Sequence, residues 1–382
     1  MTRLLEPLVV DPRDPVAILP VLEEAIAGQR TLLPVPGDDA ARATLLRDSQ
    51  RAGQPISPGI ALVVATSGST GIPKGALLTP ANLVSSADAT HRRLGGEGQW
   101  LLAMPAHHIA GLQVLIRSLI AGVDPLTLDL ATGFHTADFA SAAGELHATG
   151  DRCYTALTPM QLAKLMDTLQ GIEALRLFDA VLVGGAALNP QLAQAAEDMQ
   201  ITVVTTYGSS ETAGGCVYDG RPLPGARVRV DRTDPGRIHL GGPMIAQGYR
   251  NDPEHEAFAE PGWFATSDAG RIEDGRLTVT GRLDAIIDSG GLKLQPEVLE
   301  QALLAVPGVT GACVVGIPDP RLGQAIVAAY TGPATPGEVI EGLDHLPRWQ
   351  LPKDLRRVAE FPLTGPGKVD RRSVGRLFGT AG

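Results

Sequence analysis

The chain is short of cysteine, of aromatic side chains and of positive charge, and each shortage closes a class of function. Its three cysteines, Cys153, Cys216 and Cys313, stand far apart, with no CxxC pair and no Cys/His cluster beside them. A disulfide framework and a structural zinc site are therefore excluded as organising devices. Aromatic residues make up 4%, and 32 Lys and Arg face 42 Asp and Glu, a formal net charge of −10. A protein that grips nucleic acid by neutralising phosphates and stacking bases needs the reverse on both counts. No apolar run approaches the roughly 20 residues that span a bilayer; stretches such as 60–65 and 180–183 are far shorter. The opening MTRLLEPLVVDPRDP places acids and prolines where an export signal needs a basic start and an apolar middle. The expected location is the cytoplasm.

What the chain does have is a globular balance: 382 residues, 44% of them hydrophobic, with a mean hydropathy of +0.07. That length allows about two or three domains with cores of their own. The 45 glycines and 30 prolines punctuate without repeating, which excludes solenoids and propellers. From residue 59 onward short apolar runs alternate with longer helical ones. Strands are expected at 59–65, 100–104, 125–130, 152–157, 178–183 and 201–205. Helices are expected at 80–94 and 110–121, and after the caps Thr158-Pro159 and Asn189-Pro190. This alternation predicts an α/β architecture, a mostly parallel sheet covered by helices. After Gly215 the texture changes to a distorted β region of short strands and turns, at 227–230, 237–240 and 276–279. A break at 281–284 opens a smaller α+β segment with a helix at 296–305, strands at 311–315 and 325–330, and a basic tail. The expected division is thus 1–282 and 283–382. The first 58 residues, rich in Pro, Arg and Asp, yield only a short helix near 18–27. From His345 on, eight basic residues meet three acids, a face that either lies in solvent or meets phosphate.

The strongest local signal is Thr66-Ser67-Gly68-Ser69-Thr70-Gly71-Ile72-Pro73-Lys74-Gly75, directly after an expected strand. Hydroxyls and close-set glycines let backbone N–H groups converge on an oxyanion with no Cβ in the way. Lys74 adds a mobile cation suited to a polyphosphate. The GxxxxGK[ST] order of the other common phosphate loop is absent. The run resembles the signature of the adenylate-forming enzymes, the superfamily of acyl-CoA synthetases, adenylation domains and luciferases, and further motifs of that family follow in order.

Tyr207-Gly208-Ser209-Ser210-Glu211 is similar to the family's Tyr-Gly-x-Thr-Glu. The resemblance implies that Tyr207 stacks on adenine and that Ser210 keeps a hydroxyl for the α-phosphate. It also makes Glu211 the Mg²⁺ carboxylate, a hard oxygen donor of the kind that ion takes beside substrate phosphates. Thr266-Ser267-Asp268 resembles Thr-Gly-Asp, whose aspartate holds the ribose hydroxyls. Gly281-Arg282-Leu283-Asp284 resembles the segment joining the two domains, with Arg282 reaching the ribose and Asp284 at the hinge. Ser289-Gly290-Gly291 resembles the ligase motif in which Gly290 and Gly291 leave room for pantetheine, although a tight turn explains the same pair. Residues 362–371, PLTGPGKVDR, resemble Pro-x-Thr-x-x-Gly-Lys-x-Asp-Arg, which makes Lys368 the catalytic lysine. His108-Ile109-Ala110-Gly111 resembles the His-x-x-Gly motif at the acyl pocket.

What the resemblance implies is a ligase that takes ATP, Mg²⁺ and CoA. A large N-terminal domain holds nucleotide and acid, and a small mobile C-terminal domain carries Lys368. Catalysis falls to Lys368, Glu211 and Lys74. Short o-succinylbenzoate–CoA ligases of menaquinone synthesis look most similar, through PAHHIAG at 105–111 with Arg117, and through ETAGGCVYDG at 211–220. Such an acid carries a second carboxylate, for which Gly184, Gly185, His107, His108 and Ser209 are candidates. Arg117, inside an apolar helix, is read first as a structural residue. The alternatives are a ligase for another aryl or short acyl acid, and a nucleotide-binding relative without catalysis, against which every charged position of the motifs is filled. Partners are then small molecules, with no nucleic acid and no membrane span, and a homodimer stays open. Few residues precede the phosphate loop, so part of the first subdomain is expected to be reduced.

Overall fold

The computed structural model describes residues 3–66, 72–232, 236–363 and 369–379. The chain divides into two compact units, Met1–Arg229 with His239–Ala265, and Val230–Ile238 with Thr266–Gly382.

The larger sheet of the first unit has seven strands in the order Arg221–Pro222, Gly214–Tyr218, Val203–Ser209, Ala180–Val183, Cys153–Leu157, Gln99–Leu102, Leu126–Thr127. From Val203–Ser209 to Leu126–Thr127 the neighbours run parallel, and the first two strands return antiparallel. The expected α/β alternation is what the chain forms, with the strand at 125–130 reduced to Leu126–Thr127. Ala180–Val183 and Cys153–Leu157 are buried throughout, as a sheet covered on both faces requires. The helix starts follow the caps legible in the sequence. Thr79 and Thr158 each accept from the residue three further on and receive its side chain in return, ahead of a proline.

A second sheet is built in the order Glu6–Val10, Leu32–Pro36, Leu62–Ala65, Gly75–Leu78, the last strand antiparallel. The first 58 residues therefore supply more than the expected helix, found at Leu19–Ile26. Pro7, Pro34 and Pro36 hide the two strands from a sequence reading, because proline removes ladder donors. Leu32 N donates to Ala61 O at 2.9 Å. Pro34 and Pro36 fall on the same side of that strand, since backbone donors alternate sides. Pairing with Leu62–Ala65 accordingly stops at Leu32↔Leu62, while the other side pairs with Glu6–Val10 along its whole length.

Against the large sheet, Trp100 and Tyr154 are fully buried, their rings 5.1 Å apart. Trp100 Nε1 donates to His91 Nε2 at 3.2 Å. Burial, helped by the nearby Arg117 charge, holds the His91 titration down at about 4. An unfolded histidine titrates near about 6.5, so below that pH the unfolded chain takes up a proton that the folded chain refuses. Stability is full above about pH 6.5 and falls as pH drops toward 4. The thermal midpoint is expected to fall across this window and His91→Leu to flatten part of the fall. A variant with the parent's pH profile would remove His91 as a cause.

In the second unit the hairpin of Trp263–Glu273 with Arg276–Arg282 puts Asp268 opposite Arg282. A five-stranded sheet follows, in the order Leu292–Leu294, Ile287–Ser289, Gly323–Thr331, Gly311–Asp319, with Asp354–Arg357 parallel to Gly323–Thr331. The period of two sorts its side chains. Val314, Ile326, Ala328 and Tyr330 pack under Leu299 and Leu303 of helix Pro296–Leu304. Cys313, Val315, Val327 and Ala329 pack under Val374 and Phe378 of helix Arg371–Phe378. Arg371 grips Glu300 with two bonds of 2.6 and 2.9 Å, which locks the start of the last helix onto Pro296–Leu304. Gly281 of this hairpin has no room for a side chain, since a Cβ there would lie 2.6 Å from Glu297 Oε2.

Candidate active site

The candidate phosphate loop joins two antiparallel strands, Leu62–Ala65 and Gly75–Leu78, and Thr66 N donates to Lys74 O at 2.8 Å to close its base. Ser67, Gly68, Ser69, Thr70 and Gly71 lie outside the described residues. Gly75 has a steric reason to be glycine, since a Cβ there would stand 2.0 Å from Gln50 Oε1. Gln50 is fully buried behind the loop and donates to Pro73 O at 2.7 Å. At the loop's end Lys74 Nζ contacts His255 Nε2, lies 3.7 Å from Asp252 Oδ2 and stands 5.2 Å from the centre of the Tyr249 ring.

Glu211 sits in a short turn, Ser210–Thr212, directly after the strand that carries Tyr207 and Ser209. Gly208 lets that strand bulge beside its neighbour, because a Cβ would meet Gly214 O at 2.1 Å. Glu211 is 7% exposed and accepts a hydrogen bond of 2.6 Å from the Tyr249 hydroxyl. Burial first, and the Glu211 charge next, push the tyrosine's titration upward, so its proton stays on to be donated. Among the described residues no group of three or more His, Cys, Asp or Glu is gathered for a metal. One buried carboxylate fits an Mg²⁺ that takes its other ligands from nucleotide phosphates and water.

Tyr249 was not among the residues singled out from the sequence. It lies on an irregular strap, 246–252, that ties Glu211 to the phosphate-loop arm. Ala246 N donates to Glu211 O at 2.8 Å, Gln247 N to Leu77 O at 2.9 Å and Arg250 N to Gly75 O at 2.8 Å. Asn251 completes it, accepting from Gly75 N at 3.1 Å and donating to Pro73 O at 2.9 Å. The only sequence signal was a polar run, Gln247-Gly248-Tyr249-Arg250-Asn251, with no period of its own.

The acyl-side candidates are also in the first unit. Gly111 allows helix Ile109–Ala121 to start against the preceding strand end, for a Cβ would come 2.4 Å from Pro105 O. The His107 and His108 rings lie 4.1 Å apart, tilted by 48°, and burial lowers the His107 titration to about 4. His107 is therefore neutral at pH 7 and offers a hydrogen bond rather than a charge. Gly184 follows strand Ala180–Val183, where a Cβ would meet Thr206 Oγ1 at 2.2 Å, and Gly185 has a φ of +85°. Ser209 Oγ is buried and has no hydrogen-bond partner among the described residues. Arg117 does not reach for water: it is 3% exposed, stacked 4.8 Å from the Trp100 ring centre, with the Tyr218 hydroxyl at 3.4 Å.

Of the residues in the second unit, Asp268, Arg282 and Asp284 are brought together. Arg282 binds both oxygens of Asp284, at 2.8 and 2.6 Å, and lies 3.5 Å from Asp268. Gly290 and Gly291 form the two-residue turn between Ile287–Ser289 and Leu292–Leu294, with φ of +66° and +85°. A type I′ hairpin turn demands that backbone of both residues. Lys368 lies outside the described residues; its flanks Leu363 and Val369 form an antiparallel bridge.

Comparison with known proteins agrees with the motifs. A model of the AMP-binding enzyme family matches residues 11–250, and one of the AMP-binding enzyme C-terminal domain matches 298–368. A probable 2-succinylbenzoate–CoA ligase of Mycobacterium tuberculosis is 45% identical over 94% of this chain and 95% of its own length. A sulfoacetate–CoA ligase of Cupriavidus necator is 32% identical over 93% of this chain and 75% of its own. In fold, the chain is similar to o-succinylbenzoate CoA synthetase from Bacillus subtilis solved with its acyl-adenylate. The TM-score is 0.82 at 21% identity, over 97% of this chain and 87% of that one.

Proposed function

Since the chain belongs to the AMP-binding enzyme family, we propose that it is an ATP-dependent acid–thiol ligase. It joins a carboxylic acid to the AMP portion of ATP with release of pyrophosphate, then passes the acyl group to the CoA thiol with release of AMP. The acid we propose is 2-succinylbenzoate, giving 2-succinylbenzoyl-CoA for menaquinone biosynthesis, on the strength of the relative at 45% identity. The observation that carries the chemistry is the meeting of Lys74 and Glu211, from separate motifs, on one aromatic side chain.

Attack of a carboxylate on the α-phosphorus brings two anions together, so charge placement and orientation dominate the barrier. Lys74 faces the phosphates. Its pairing with Asp252 is partly exposed, a kind of contact worth about 0–1 kcal/mol, so a polyphosphate displaces it readily. Glu211 would hold Mg²⁺, which when bound offsets phosphate charge. Thr66, Ser67, Gly68, Ser69, Thr70, Gly71 and Ser210 cradle the phosphates, Tyr207 meets adenine, and Asp268 with Arg282 receives the ribose. Lys368 bridges the two reactants. For thiol attack that lysine must leave, and residues 283–382 turn about Asp284 so that Gly290 and Gly291 face pantetheine. His108, Gly184, Gly185 and Ser209 border the acid.

A ligase for a different small acid is the second reading, favoured by the sulfoacetate–CoA ligase at 32% identity. Among the described residues no helix is long and apolar enough to cross a membrane, and all three cysteines are free and buried. The proposed location is the cytoplasm, where ATP and CoA are supplied, and a homodimer is the assembly to test first, by light scattering. The test of the chemistry is acid-dependent exchange of labelled pyrophosphate into ATP. Exchange with 2-succinylbenzoate is the expected result, and none with any acid would end the reading.

A further inference from the structure

Two charges of opposite sign must be kept apart yet aimed at the same nucleotide. In the free protein, Lys74 and Glu211 would gain from collapsing onto each other, which would spoil both. What stands between them is Tyr249, 5% exposed, its hydroxyl on Glu211 Oε1 at 2.6 Å and its ring centre 5.2 Å from Lys74 Nζ. The ring cannot swing. His255 packs edge-on at 5.0 Å and Phe258 at 5.1 Å, and the backbone at Tyr249 bridges to Ala76 on the loop arm. From this geometry we infer that Tyr249 is a positioning residue for metal-dependent nucleotide binding. Its hydroxyl fixes the rotamer of the Glu211 carboxylate by occupying one oxygen, and its face parks the Lys74 ammonium.

The inference rests on the reading of Glu211 as the Mg²⁺ carboxylate. Partners that orient a metal ligand are typically worth about 10- to 100-fold in metal affinity, because an unrestrained carboxylate must be ordered each time the ion binds. Removing the hydroxyl alone therefore has a different signature from removing the carboxylate. Tyr249→Phe keeps the ring for Lys74 and loses only the grip on Glu211.

The experiment is calorimetric titration of the purified chain with ATP, without acid or CoA, over a series of Mg²⁺ concentrations. Thermal unfolding of each variant is recorded alongside. Tyr249→Phe is expected to raise the half-saturating Mg²⁺ concentration about 10-fold or more, with metal-free ATP binding changed less than about twofold. Glu211→Gln is the control for the underlying reading. If Glu211→Gln shifts the Mg²⁺ curve and Tyr249→Phe leaves it in place, the positioning role is overturned. If neither moves it, the metal role of Glu211 is what fails. Should Tyr249→Phe not fold, isotope-labelled tyrosine in the unaltered protein gives the answer, since the chain has five tyrosines. The Tyr249 signal must then shift when Mg²⁺ is added to the ATP complex; a signal that stays fixed overturns the proposal.

Discussion

Lys368→Ala is expected to abolish formation of the acyl-adenylate, by about 10²–10³-fold or more, while thioester formation from a supplied acyl-adenylate runs close to the parent rate. The size follows from what the lysine is asked to do. A carboxylate and a triphosphate repel each other most at the moment of bond formation, and a compact ammonium can contact oxygens of both. A neutral methyl at that place removes a charge-assisted contact made chiefly in the transition state, so kcat for adenylation falls and acid binding changes little. The chain invests in holding the flanks of this lysine. Leu363 bridges Val369, Asp370 caps helix Arg371–Phe378 through Arg372 N and Ser373 N, and Arg371 grips Glu300. Pyrophosphate release and thioester yield, measured separately, check the split. Equal loss in both would show that one arrangement serves both steps, and the turning of residues 283–382 would have to be given up.

The second large effect concerns the acid. In competition, 2-succinylbenzoate is expected to be used over benzoate or acetate by about 10⁴-fold in kcat/KM. Sites built to hydrogen-bond a polar group reject analogues lacking it far more strongly than apolar pockets reject a missing methylene. The second carboxylate supplies such a group, and the buried Ser209 Oγ, which has no hydrogen-bond partner among the described residues, is the candidate to donate to it. His107 cannot supply the charge at neutral pH, its titration being held near 4. Arg117 bears its charge in a fully packed place against Trp100. Arg117→Met separates its two possible tasks: a changed melting midpoint with unchanged acid preference keeps it structural, and a collapsed preference makes it part of recognition. Equal rates for all acids would leave the adenylation chemistry intact and end the choice of substrate.

The parts of this molecule that were legible are those in which a local rule and the final fold agree. Thr79-Pro80 and Thr158-Pro159 announce helices because their caps need nothing beyond three residues of sequence. Strands buried on both faces read as apolar runs. The N-terminal sheet escaped because Pro34 and Pro36 are poor strand residues by any local rule. They are tolerated because pairing on their donor side has already ended. The strap 246–252 escaped for another reason: its order comes from hydrogen bonds to Leu77, Gly75 and Pro73, far away in sequence. So Glu211 and Lys74 could be picked out by resemblance, and Tyr249, which holds them both, could not.

The smaller unit sandwiches its sheet between two apolar layers, one centred on Leu299, Leu303 and Tyr330 and the other on Val315, Val374 and Phe378. Such a body carries its own ballast. Those side chains stay packed within the unit in any rigid turn of it, so the proposed turn need not open its core. Collective domain motions run on microseconds to milliseconds, a timescale on which the proposed withdrawal of Lys368 would fit within a single catalytic turnover.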